Sequence, residues 1–151
     1  MAQLPRNEAE PLIALRKFVG SDLHLQPRKN HAGYVSGAAR PEDEFGATLP
    51  GLTVELELKA PLLVDACKHI VTLFLLKNGV KYRVYQFEVQ PPSKRSHNEP
   101  GNAIFGPHEH RGDEVIAYDR AEVHCGTPVE TLFELFCSEA NISFTGKIIL
   151  P

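Results

Sequence analysis

The sequence predicts an α+β fold: an antiparallel β-sheet with a central hairpin, packed against an N-terminal and a C-terminal helix. Three observations predict it. Leu52, Val54, Leu56 and Leu58 alternate with Thr53, Glu55, Glu57 and Lys59, the period-2 pattern of a strand with one wet face. Asn78-Gly79 separates two apolar runs and is the dipeptide that best tolerates the positive φ angles of a tight hairpin turn. Helix-start patterns lie on either side of this β-rich middle, the arrangement that lays helices on a sheet. The 151 residues match one domain on the prior of roughly 100–200 residues each. Within it we expect a helix over 1–20, an irregular segment over 21–51, the sheet over 52–126, and a helix with a tail over 127–151.

The first helix is read from Asn7, a capping residue followed three positions on by Glu10, with Pro11 placed in the first turn. Leu12, Ile13, Leu15, Phe18 and Val19 supply an apolar stripe, and Gly20 is a natural stop. Residues 21–51 are broken by Pro27, Gly33, Gly37, Pro41, Gly46, Pro50 and Gly51. They read as a mobile loop with a brief strand over 22–25. Residues 68–77 are apolar on both faces and belong in the centre of the sheet, and 80–89 return antiparallel to them. A two-residue turn sets Lys77 opposite Val80, Leu73 opposite Val84 and His69 opposite Glu88. The same counting puts Tyr82 and Tyr85 on opposite faces.

Residues 93–102 read as a polar loop, followed by short strands near 103–105 and 115–118. Thr127-Pro128-Val129-Glu130 is a helix start: cap, proline at the first helical position, and Glu three residues after the cap. Leu132, Phe133, Leu135 and Phe136 face the sheet, Asn141 ends the helix in the left-handed conformation, and 142–150 form a last strand.

Composition narrows the function. The formal charge of -3 lacks the uniform positive field of a general nucleic-acid binder, though it leaves room for a local basic patch. No stretch approaches the roughly 20 apolar residues of a bilayer span, and the first ten residues lack the apolar core of a secretory signal. Three cysteines without a CxxC spacing read as reduced thiols in a cytoplasmic chain. Cys137 is expected in the core beside the apolar face of the second helix.

The chemistry concentrates between residues 97 and 114. In extended backbone, residues two apart point the same way, so His108 and His110 present two imidazoles to one side. Such a pair suits a divalent transition metal completed by Asp113, Glu114, His124 or His97. Without metal it suits proton transfer near neutral pH. Upstream, Lys94, Arg95, His97 and Asn98 form a basic, amide-rich cluster able to grip phosphate, with Arg111 close in sequence and Lys81 on the adjacent strand. Phosphate grip beside an acid–base pair is what RNA cleavage requires.

A hairpin, a polar loop with Asn98, then Pro107-His108-Glu109-His110 followed by Asp113 and Glu114, then a helix, resembles the TumE-like toxins of bacterial toxin–antitoxin modules. The similarity spans roughly residues 52–140 in the order of elements. It implies a small cytoplasmic toxin neutralised by a cognate antitoxin protein, with nucleic acid as its target, and the residues point to RNA. On that reading His108, His110 and His97 are catalytic, and Lys94, Arg95, Asn98 and Arg111 hold the substrate. Two other classes stay open: a non-catalytic binding or regulatory subunit using a sheet edge, and a metal-dependent hydrolase in which His108, His110, Asp113 and Glu114 hold the ion.

Overall fold

The computed structural model describes residues 2–59, 66–99, 102–118 and 120–151. From the N-terminus come β1 (Ala2–Gln3), α1 (Arg6–Ala14), β2 (Lys17–Val19), β3 (Leu23–His24), β4 (Gln26–Pro27) and β5 (Tyr34–Ala39). The middle holds β6 (Leu52–Lys59), β7 (His69–Lys77), β8 (Val80–Val89), β9 (Arg95–Glu99), β10 (Asn102–Phe105), β11 (His108–Arg111) and β12 (Glu114–Ala117). The chain closes with α2 (Val129–Glu139), β13 (Ile142–Phe144) and β14 (Ile148–Ile149). Seven strands lie side by side in the order β12-β11-β8-β7-β6-β5-β4, and β1 adds an eighth beside β8. The fold is α+β.

The hairpin turn forms as its dipeptide dictates: Asn78 and Gly79 adopt φ of 52° and 75°, and Lys77 faces Val80. The expected register holds only as far as Phe74, which faces Arg83, because Leu73 then faces Tyr85. Val84 is an extra residue, a β-bulge, and its carbonyl accepts a hydrogen bond from the Gly112 N–H at 2.8 Å. Every pairing beyond the bulge is displaced by one. His69 therefore faces Val89, and Glu88 faces Ile70. The bulge also brings Tyr82 and Tyr85 to the same face, where both pack on the core.

That face is apolar. Val54, Leu56, Leu58, Val71, Leu73, Phe87 and Val89 are buried on it, and α2 covers it, with Phe136 stacked 5.4 Å from Tyr85. Asn141 ends α2 at φ 53°, as expected. Thr127 does not cap the helix directly: its hydroxyl donates to the Glu122 carbonyl and accepts from the His124 N–H.

Other regions also differ from expectation, among them the tail, where two short strands, β13 and β14, stand in place of one over 142–150. α1 starts at Arg6 and stops at Ala14, so Phe18 and Val19 lie in β2, parallel to β13. The reason is tertiary: the buried Lys17 ammonium donates to the carbonyls of Ile13, Leu15 and Ala140 at 2.9, 2.6 and 2.6 Å. One cation thereby satisfies orphan carbonyls at the C-terminal ends of both helices. Residues 34–39, expected in a mobile loop, form β5 and pair with all but the first two residues of β6. Finally, Cys67 and Cys125 form a disulfide, which overturns the expectation of three reduced thiols. Only Cys137 is free, and it is buried; burial pushes its thiol up to about 12.

Candidate metal centre

Strand β11 reads His108-Glu109-His110-Arg111, and its alternation divides the motif between two faces. Glu109 and Arg111 turn toward the helices. His108 and His110 turn away from them, beside Glu88 and Gln86 of β8, their register partners. One ligand atom from each of Glu88, His108 and His110 lies within 4.8 Å of the others. His108 and His110 are 0% and 2% exposed, with ring centroids 5.1 Å apart.

The second nitrogen of His108 explains how that ring is aimed. Its Nδ1 donates to the Gly106 carbonyl at 3.0 Å, which directs Nε2 at Glu88 Oε2, 3.0 Å away. A backbone carbonyl on the far nitrogen is the usual way a metal-binding imidazole is oriented. Burial works against ionised Glu88, yet the hydrogen bond from His108 and charges that include Lys68 outweigh it. The carboxyl is held below its usual range. Lys68 Nζ lies 3.7 Å from Glu88 Oε1. Along the same face, Gln86 donates to the Thr72 hydroxyl at 2.9 Å and faces Arg83. Burial lowers the Arg83 guanidinium, opposed by Glu88.

The remaining candidates separate. Asp113 and Glu114 lie apart from the two rings and serve α1. The Arg6 N–H donates to Asp113 Oδ1 at 3.0 Å, a carboxylate set at a helix N-terminus, and Glu114 pairs with the Arg6 guanidinium. Gly112, between them and β11, is required: at φ 59° an added Cβ would meet the Leu4 carbonyl at 2.7 Å. Arg111 is held on the helix side by Glu10 at 2.9 Å and by Glu139 at 3.5 Å, with its guanidinium 5.4 Å from the Tyr85 ring centre. Hydrogen bonds to Glu10 raise its pKa. It is a structural tie between helices and sheet.

Lys94 and Arg95 are exposed, and β9 begins at Arg95, where a loop was expected. The side chains of His97 and Asn98 lie outside the described residues. His124 is exposed and accepts a hydrogen bond from the Gly126 N–H at 3.0 Å, away from the two rings. His69, expected against Glu88, points to the opposite face; its ring hydrogen-bonds the Cys125 backbone, and burial lowers its pKa. Lys81 pairs with Glu55 at 3.6 Å and lies over Phe74.

Glu88 is the candidate ligand that sequence reasoning missed. Its signal was present: a carboxylate inside a central strand needs a buried partner. The bulge hid which partner. The chain matches no protein-family model, no curated protein and no solved structure.

Proposed function

We propose that the protein binds a divalent transition metal through Glu88, His108 and His110 and uses it in hydrolysis. The observation that supports this is the convergence of two imidazoles and one carboxylate on a buried face, with His108 already oriented from behind. The donor set of two nitrogens and one oxygen suits zinc or a neighbouring first-row ion. Three protein ligands leave a coordination position for water, whose pKa a bound divalent ion lowers toward neutrality.

A second reading, an RNA-cleaving toxin with a cognate antitoxin, draws support from Lys94 and Arg95. The Lys94 carbonyl accepts from the Gly106 N–H at 3.1 Å, and Gly106 is the residue that holds His108. Gly106 thus links the backbone of Lys94 to the His108 ring. Burial of both rings favours their use as ligands over free acid–base exchange with a polymer.

Elemental analysis after dialysis tests the proposal. Wild type should retain about one metal per chain, and Glu88→Gln or His108→Ala should bind at least about 10-fold more weakly. Wild type holding no more metal than these variants would overturn it.

A further inference from the structure

We infer that the cavity at the end of the sheet beside Glu88 is a subsite for a phosphate group of the substrate. It deepens the hydrolase reading, on which its catalytic role rests. The cavity is ≈ 240 Å³, and its lining includes Lys59, Lys68, Lys94, Tyr34 and Ser93. Three lysines therefore line one small space, and no described lining residue is acidic. The protein as a whole is acidic, at -3, so the concentration of cations here is local.

The fold brings the three lysines together from separate stretches. Lys59 and Lys68 lie at facing ends of β6 and β7, where the Lys59 N–H donates to the Lys68 carbonyl at 2.9 Å. Lys94 arrives from the turn after β8, fixed by its N–H on the Pro91 carbonyl at 3.0 Å. Neither Lys59 nor Lys94 forms an ion pair among the described residues. Lys68 does, at 3.7 Å to Glu88, and so stands between the cavity and the metal ligands. Its side chain is 31% exposed.

Lysines act on phosphate as point charges with several donors, and the hydroxyl-bearing residues Tyr34 and Ser93 add further donors. Pockets for whole drug-sized ligands begin near roughly 300 Å³, so this one suits a single group on a larger molecule. A phosphate bound there would meet Lys68, whose Nζ lies 3.7 Å from Glu88 Oε1. The chemistry fits either a phosphate within an RNA strand or one on a small phosphoester.

Calorimetric titration of the metal-loaded protein separates the possibilities. The probes are inorganic phosphate, adenosine 5′-monophosphate and a short single-stranded RNA, each with wild type and with Lys59→Gln/Lys94→Gln. The double variant should bind phosphate at least about tenfold more weakly while holding its metal as wild type does. Equal phosphate affinity in both proteins, or none in wild type, overturns the subsite. Phosphate binding by a protein that takes up no metal would uphold the cavity and remove the metal reading instead. RNA binding more than about tenfold tighter than the mononucleotide assigns the group to a strand; equal binding assigns it to a small phosphoester.

Discussion

The two faces of the sheet use titratable side chains in opposite ways, and β11 shows both uses within four residues. On the helix side, Glu109 accepts from the Tyr85 hydroxyl at 2.7 Å, and Arg111 is shared among Glu10, Glu139 and Glu109. Arg111 of the sheet is answered by Glu10 of α1 and Glu139 of α2, so the network ties the helices to the sheet. On the other side, Glu88, His108 and His110 share one small volume, and the neighbouring lysines converge on a cavity. A dense set of ionisable groups is therefore not by itself a functional site. What separates the two is whether the groups complete one another across elements or leave a common point for something else.

Breaking either side should give different readouts. The largest effect is expected from the disulfide, whose cysteines lie 58 residues apart. Reduction, or Cys125→Ser, should lower unfolding free energy by about 4 kcal/mol on the loop-entropy argument, read by denaturant titration. A loss below about 1 kcal/mol would mean that the bond constrains little.

A smaller effect belongs to Arg111→Met, with an expected loss of about 2 kcal/mol and unchanged metal content. A fall in metal content would collapse the distinction between the faces. The variant should also alter pH dependence. Arg111, more than any other group, holds Glu10 below its ordinary 4.5, so this contribution is full above that value and lost as pH falls through the lowered one. Acid titration of stability should flatten in the variant.

The smallest effect is that of Asp113→Asn. It removes a charge from the start of α1 and should cost about 0.5 kcal/mol, with metal content as in wild type. Metal loss in this variant would restore Asp113 to the ligand set.

Much of this was legible in the sequence, and the failures have physical causes. The β6 alternation, the Asn78-Gly79 turn and the direction shared by His108 and His110 are local properties, readable without tertiary context. The bulge at Val84 is not local: it is held by Gly112 from another hairpin. That one extra residue moved Glu88 from His69 to the side of His108. Strand β5 was hidden because Gly37, Ala38 and Ala39 have little β-preference of their own and take their form from β6. The early end of α1 was hidden because Lys17 finds one of its acceptors on Ala140, 123 residues away. Arg111, Asp113 and Glu114 looked like ligands because proximity in sequence says nothing of which face or which helix claims a side chain.

The pairing of β2 with β13 and of β3 with β14 has a consequence for biosynthesis. Residues 17–24 are synthesised well before residues 142–149, with which they pair. Until those emerge, the Leu23 N–H lacks its Lys147 carbonyl and the Lys17 ammonium lacks its Ala140 acceptor. The sheet centre can assemble during translation, but the seam of β2 and β3 with β13 and β14 closes only after synthesis has passed residue 149.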